Sequence, residues 1–494
     1  LNRELRNRRP AEIVHTPSRF RNPIAKYRLS RSNECTGCGK CVETCPHNVH
    51  EMRRGRVLTR NPYRCVGSDC PTPCHQNCPA GALTLKKNPT FETIGDSRWT
   101  PDLLASTWHM AEFGRVPAGG LEYRVGGSGG GFDKLRILVP KMQELPDEAA
   151  YVDVGVDLNR REDHADRVRI DVPFYGGGMS YGSVSITTML SRIKAAACLG
   201  TFCCTGEGGY PDELKPYDDN VITQVATGLF GVREETIKRV RIVEFKYAQG
   251  AKPGLGGHLL GDKVTPGVAR MREAVVGYPL FSPFPFHSVY SVEDHKKHVD
   301  WIKAINPRAL VSVKVSTPTD VDMVAVGSYY AGAHIVHLDG SYGGTGAAPD
   351  IAKKNIAMPI EYAVPKVHRF LKEEGIRDKV TVIASGGIRT VHDVVKIIAL
   401  GADGVCTGTA DLVALECIRC HNCESGRGCA RGIATTDPEL MNLIDQEWGT
   451  QRIVNMFLAW KFELVRILKR LGMKSIRELV GRTDCLVHLD YMKK

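Results

Sequence analysis

The chain has 494 residues, 42% of them hydrophobic and 24% charged, with a formal charge of +11. That balance is that of an ordinary globular protein and excludes a disordered or low-complexity chain. No run of 18 or more apolar residues occurs, so no membrane-spanning helix and no membrane partner are expected. At roughly 150 residues per domain the length allows two to four domains, although a (β/α)8 barrel uses about 250 alone.

In chain order, residues 1–25 are expected to form a basic arm. Residues 1–31 hold nine Lys or Arg against two Glu. Such an arm is either a solvated tail or a docking arm for an acidic partner such as a small electron carrier. No recognition motif accompanies the charge, so no nucleic acid is expected to bind.

Seventeen cysteines follow, eight between Cys35 and Cys78 and four between Cys417 and Cys429. An odd total packed into clusters points to metal in a reducing, cytoplasmic setting rather than a secreted disulfide framework. No signal-peptide pattern is present.

Residues 26–88 form the first Cys-rich unit. Cys35, Cys38, Cys41 and Cys45-Pro46 have the spacing C-x2-C-x2-C-x3-C-P. Four thiolates at these intervals suit an iron–sulfur cubane; in two-cluster ferredoxins the fourth Cys serves the other cluster. Cys65, Cys70, Cys74 and Cys78-Pro79 make a looser second set, C-x4-C-x3-C-x3-C-P. The expected assignment crosses over, with one [4Fe–4S] cluster on Cys35, Cys38, Cys41 and Cys78 and another on Cys65, Cys70, Cys74 and Cys45. Structural zinc also accepts four Cys. Residues 30–86 resemble the bacterial two-cluster ferredoxin domain, a small α+β unit.

Residues 89–165 are expected to be a linker and barrel-capping segment containing the glycine run from Gly126 to Gly131. Across 166–436, apolar runs alternate with amphipathic stretches. Candidate strands are Val168–Tyr175, Gly200–Cys204, Arg241–Phe245, Ala309–Val315, Ala333–Leu338, Lys379–Ala384 and Asp403–Cys406. Candidate helices include Ser183–Leu199, Asp320–Ala331 and Val391–Leu400. This alternation implies an α/β fold with a parallel sheet, and its span suits a closed (β/α)8 TIM barrel. Residues 437–494 are expected to form two or three C-terminal helices.

Ile383-Ala-Ser385-Gly386-Gly387-Ile-Arg389 and Gly404-Val-Cys-Thr-Gly408-Thr409-Ala410 are glycine-bearing strand ends, each ahead of a helix. Barrels often bind phosphate there, after strands 7 and 8. Further runs carry a resemblance: Gly178-Met179-Ser180-Tyr181-Gly182, Thr205-Gly-Glu207-Gly-Gly209, Gln224-Val-Ala-Thr-Gly228, Lys246-Tyr-Ala-Gln249-Gly-Ala-Lys252-Pro-Gly254, Ser312-Val-Lys314, Gly343-Gly-Thr-Gly-Ala347 and Gly481-Arg-Thr-Asp484. From about residue 170 to 490 the chain resembles the FMN-binding synthase region of glutamate synthase, in its short archaeal-type form with a ferredoxin insert.

The resemblance implies flavin contacts from Met179, Ser180, Gln224, Lys314 and Ser385. It implies phosphate contacts from Gly386, Gly387, Gly408 and Thr409, and a 2-oxoglutarate site from Glu207, Lys246, Gln249, Lys252 and Arg272. Glu207, Lys252 and Lys314 are the implied catalytic groups. The residue types suit the chemistry: a dicarboxylate needs charge-assisted donors, and a cation beside the flavin pyrimidine stabilises the reduced ring.

Cys417, Cys423 and Cys429, followed by Gly432-Ile-Ala-Thr435, resemble the family's three-cysteine [3Fe–4S] segment. Here the last interval is one residue longer, and Cys420 is an extra thiol that would allow [4Fe–4S]. Tyr342 stands where the bacterial enzymes have Asp. Cys203-Cys204 replaces polar residues and reads as buried core.

The implied reaction is reductive amination of 2-oxoglutarate with ammonia. The chain carries no glutaminase-like segment, so ammonia is expected from a glutaminase subunit or from solution. No G-x-G-x-x-G follows a strand, so electrons are expected from ferredoxin or an NAD(P)H-oxidising subunit. Two other readings share these motifs: a methylglutamate synthase relative, and a non-catalytic FMN and iron–sulfur electron-transfer subunit.

Overall fold

The computed structural model describes residues 10–20, 23–117, 131–140, 150–283, 286–344, 351–353, 355–424 and 428–491. Most of the glycine run at 126–131 and residues 345–347 of the Gly343–Ala347 motif lie outside the described residues.

The Cys-rich unit is built from two antiparallel strand pairs, Tyr27–Arg31 with Leu83–Lys87 and His50–Arg53 with Arg56–Thr59. Helix α1 (Pro101–Phe113) follows, with Thr100 capping Leu103 N and Gly114 ending it in the left-handed region. Two ion pairs tie the unit to α1: Lys26 to Asp102 at 2.6 Å and Arg64 to Glu112 at 2.7 Å. The described part of the basic arm is no solvated tail. Val14 and Thr16 are bonded to Asn455, and the Pro17 carbonyl accepts from Trp448 Nε1.

Eight parallel strands then close into a ring, each beside its neighbour in sequence. They are β1 (Phe174–Gly176), β2 (Cys203–Cys204), β3 (Val221–Ala226), β4 (Ile242–Lys246), β5 (Leu310–Ser316), β6 (Ile335–Asp339), β7 (Thr381–Ser385) and β8 (Gly404–Thr407). Helices α2 (Ile186–Leu199), α3 (Glu234–Arg239), α4 (Pro266–Arg272), α5 (Val292–Ile305), α6 (Val321–Tyr330), α7 (Ile360–Glu373), α8 (Val391–Ala399) and α9 (Thr409–Ala414) lie between or after them. The expected TIM barrel is thus observed.

Strands of such a barrel are covered on both faces, so their sequences are nearly continuous apolar runs. Every described residue of β3 and of β5 to β8 is buried.

Two expectations are corrected. The run Val168–Tyr175 is two elements: Arg169–Ile170 pairs antiparallel with Val156–Asp157, and β1 begins only at Phe174. Pro173 separates them; lacking an N–H it offers only its carbonyl, which accepts from Val405 N. Strand β3 was absent from the expected set. The tail holds a short helix, Pro438–Met441, the 25-residue helix α10 (Gln446–Arg470) and a single turn at Ile476–Leu479, in keeping with the expected helices, and adds a short strand, Leu486–His488, paired with Leu135–Ile137.

Helix α10 packs on α2 and α1 and brings Trp460, fully buried, against Phe174 of β1 and Phe457, with ring centroids 5.8 and 5.6 Å away. No helix among the described residues is long and apolar enough to cross a membrane. Replacing Trp460 by Ala empties a site that neither β1 nor α2 can refill. The expected cost is about 3–5 kcal/mol, read as a lower denaturant midpoint; an unchanged midpoint contradicts this packing.

Candidate functional site

The predicted site residues gather at the C-terminal ends of the strands. Met179 and Ser180 follow β1, Glu207 follows β2, and Gln224 lies in β3. Lys246 ends β4 and Gln249 and Lys252 follow it, Lys314 lies in β5, and Ser385 ends β7. In barrels this face carries the chemistry. Parallel register lines up the rows: Lys246 is beside Lys314, Lys314 beside His337, and Asp339 beside Ser385.

Below the mouth, the interior is polar. Glu244 accepts hydrogen bonds from Gln224 Nε2 (2.8 Å) and Ser312 Oγ (2.9 Å) and faces His337 Nδ1 at 3.0 Å. His337 Nε2 is 2.8 Å from Ser385 Oγ, which donates to Asp339 Oδ1 at 2.5 Å. Asp339 Oδ2 accepts from Gly250 N at 3.0 Å and faces Lys314 Nζ at 3.4 Å. Burial alone would lift the Glu244 carboxyl; His337, Lys314 and the Gln224 amide outweigh it and hold it well below the usual range. Burial likewise works against the Lys314 ammonium, and Asp339 and Glu244 more than restore it, leaving it raised. Glu244, His337 and Asp339 were not anticipated. Their signal is the period of two in Ile242–Lys246 and Ile335–Asp339, which points each polar residue inward beside a predicted site residue.

At the mouth, Lys246 Nζ lies 3.1 Å from Glu207 Oε2 and donates to Gln249 Oε1 at 3.0 Å. Arg272, at the end of α4, donates to Ser180 Oγ (2.8 Å) and the Tyr181 carbonyl (3.0 Å). Helix α4 and the antiparallel pair Leu255–Leu259 and Leu280–Pro283 form an insertion after β4 that folds over Glu207. A Cβ on Gly257 would overlap Glu207 Oε1, so only glycine allows that approach. Lys252 is buried in the same cluster. Burial, with Lys246 nearby, lowers its ammonium to about 8. Burial lowers Arg272 to about 10. Glu207 is held below the usual carboxylate range: burial opposes this, but Lys246, Lys252 and Arg272 prevail.

Gly386 and Gly387 follow β7 at φ +97° and +99°. A Cβ on Gly386 would lie 2.5 Å from the Gly340 carbonyl oxygen. Gly408 caps α9 and Thr409 begins it. Tyr342 sits beside Gly387, under the Arg98 guanidinium, which lies 2.9 Å from the ring centroid.

The cysteines fall into three places. Cys45, Cys65, Cys70 and Cys74 line one small cavity, with His47 and His50. Arg31 donates to Cys35 Sγ (3.3 Å) and Cys41 Sγ (3.6 Å), and both Cys74 and Cys78 pack against the small apolar cluster that contains Cys41; Cys38 is exposed. Cys417, Cys423 and Cys429 are near enough to act on one another electrostatically, whereas Cys420 is exposed. Among the described residues no three His, Cys, Asp or Glu converge on the position of a single ion. Cys203 and Cys204 are buried, as expected.

A family model described as a conserved region in glutamate synthase matches residues 136–474, and one described as a 4Fe-4S binding domain matches residues 31–49. The archaeal-type glutamate synthase (NADPH) of Thermotoga maritima is 37% identical over 478 residues, covering 92% of this chain and 92% of that protein. The archaeal glutamate synthase (NADPH) of Methanocaldococcus jannaschii is 36% identical over 488 residues, covering 93% and 94%. The glutamate synthase (NADPH) large chain of Azospirillum brasilense is 37% identical over 320 residues, covering 63% of this chain and 21% of that protein.

Proposed function

The chain belongs to the glutamate synthase family and is an enzyme of that family, and from this premise we propose that it makes glutamate by reductive amination of 2-oxoglutarate at the barrel mouth. The observation that carries this reading is the charge of the cluster. Lys246, Lys252 and Arg272 bring three positive charges and Glu207 one negative, so +3 and −1 leave +2 in a buried place. Buried charge is costly unless balanced. A dicarboxylate dianion balances it, and charge-assisted donors orient its two ends.

Ammonia attacks the keto carbon and water leaves, giving 2-iminoglutarate. Glu207, ionised by its cationic neighbours, accepts an N–H hydrogen bond from the incoming ammonia and holds it against that carbon. The cover formed by the insertion after β4 keeps bulk water from the imine.

The donor set around the mouth fits FMN. Gly386, Gly387, Gly408 and Thr409 would hold its phosphate; Met179, Ser180, Gln224 and Ser385 would line the ring site. Lys314 would sit by the pyrimidine, its ammonium kept charged by Asp339 and Glu244. Bound FMN supplies the hydride, from N5, and turns one-electron supply into two-electron delivery.

The cavity lined by Cys45, Cys65, Cys70 and Cys74 supports one [4Fe–4S] cluster there, and the grouping of Cys35, Cys41 and Cys78 supports a second with Cys38. Cys417, Cys423 and Cys429 suit a [3Fe–4S] cluster, with the exposed Cys420 outside it. The electron donor is ferredoxin or an NAD(P)H-oxidising subunit; the NADPH in the relatives' names supports the latter. A glutaminase subunit supplies ammonia. Residues 26–88 act as the cluster unit, 89–165 as the cap and 166–436 as the catalytic barrel.

Dithionite-reduced holoenzyme is expected to form glutamate from 2-oxoglutarate and ammonia, and not to condense methylamine with glutamate. Lys252→Ala should raise KM for 2-oxoglutarate by roughly 30-fold or more, the loss of one charge-assisted contact of about 2 kcal/mol, with flavin content unchanged. Full turnover in that variant contradicts the substrate assignment. In the free enzyme Lys252 is a cation below about 8. So kcat/KM for 2-oxoglutarate should fall as pH rises through about 8. A profile flat to pH 9 contradicts a role for this charge.

A further inference from the structure

The row Glu244–His337–Ser385–Asp339 is buried from end to end; Ser385 also lines the proposed flavin ring site, and Asp339 and Glu244 keep Lys314 charged. It contains three hydrogen-bond contacts: Glu244 Oε2 to His337 Nδ1, His337 Nε2 to Ser385 Oγ, and Ser385 Oγ to Asp339 Oδ1. Three contacts need three protons, and counting donors locates them. Glu244 already accepts from Gln224 and Ser312, so it is a carboxylate and the first proton sits on His337 Nδ1.

Two contacts and two protons remain, and two arrangements satisfy them. In one, His337 is an imidazolium that donates to Ser385, and Ser385 donates to an Asp339 carboxylate. In the other, Asp339 is a carboxylic acid that donates to Ser385, and Ser385 donates to a neutral His337. Both hold three protons: the first arrangement on His337 Nδ1, His337 Nε2 and Ser385 Oγ, the second on His337 Nδ1, Ser385 Oγ and Asp339 Oδ1. They differ by the shift of two protons, each across one hydrogen bond. Gly250 N–H and Lys314 Nζ, both on Asp339 Oδ2, favour the carboxylate at rest.

We propose that this row is an internal proton relay that unmasks the charge of Lys314 when negative charge develops at the barrel mouth. The Nε2 proton of His337 passes to Ser385 Oγ as the Ser385 proton passes to Asp339 Oδ1. Lys314, formerly paired with a carboxylate, then faces a neutral acid and turns its full charge on the new anion. No electron moves in the relay, and no proton enters or leaves the protein.

The relay works because a low-dielectric interior magnifies the change. The row's total charge does not change: one positive charge moves from His337 to Asp339, at the mouth end of β6 beside Lys314, so an anion at the mouth meets a Lys314 no longer offset by Asp339. The other titratable groups facing the row are Cys204, Cys406 and Tyr175. Burial pushes all three up, so they stay neutral and supply no competing proton. Ser385 and His337 are positioning residues for Lys314, and the inference rests on reading the mouth as the flavin site.

The test is a reduced-minus-oxidised infrared difference spectrum of the FMN-loaded holoenzyme. Reduction should produce a carbonyl-stretch band of a protonated carboxylic acid that shifts in D2O and is missing in both Asp339→Asn and Ser385→Ala. The flavin midpoint potential should fall in Ser385→Ala and return in Ser385→Thr, which restores the hydroxyl. If flavin binds and is reduced with no such band, or the band persists in Ser385→Ala, the relay is wrong and the flavin site stands. If protein incubated with FMN retains no flavin absorbance, the flavin reading falls, and the relay with it.

Discussion

Ionised groups survive inside this barrel because each lies opposite a charge or a hydrogen-bonding partner. Glu244 in β4 faces His337 in β6, and Lys314 in β5 faces Asp339 in β6. Taking any one of these from water alone would cost several kcal/mol. The closed ring makes the pairing precise in register, since a slip of one residue would turn every inward side chain outward. The alignment of Lys246 with Lys314, and of Asp339 with Ser385, follows from that register.

At the mouth the charges do not balance. There the cations outnumber the carboxylate, and burial, with Lys246 nearby, lowers the Lys252 ammonium. Packing and hydrogen bonds together hold these groups in place. The insertion after β4 buries Glu207 beneath Gly257, and α4 delivers Arg272 to Ser180. Tethers on the other side hold the segment that follows the Cys-rich unit to the third group of cysteines: Asp96 accepts from Arg419 at 2.9 Å, and Gly95 N donates to the Ile418 carbonyl.

Much of this was legible in the sequence, for identifiable reasons. Seven of the barrel strands show as apolar runs because parallel strands are covered on both faces. Strand β3 was hidden, since Thr223 and Gln224 interrupt its apolar run and the polar turn Asp212–Asn220 leads straight into it. Pro173 divides what reads as one long strand. The cysteine spacings were plain, and Cys45 lines one cavity with Cys65, Cys70 and Cys74. The Glu244–His337–Asp339 row was invisible because one polar residue in an apolar run has many fates. Only register across three strands shows that these residues meet.

The central claim is that the mouth is built for two carboxylates. Its most direct test is an anaerobic titration of the FMN-loaded protein with 2-oxoglutarate and, separately, with 2-oxobutyrate, following the flavin absorbance. The account predicts that the dicarboxylate binds at least about 30-fold more tightly, the equivalent of about 2 kcal/mol from the second carboxylate. Equal affinity for the two oxo acids would contradict it.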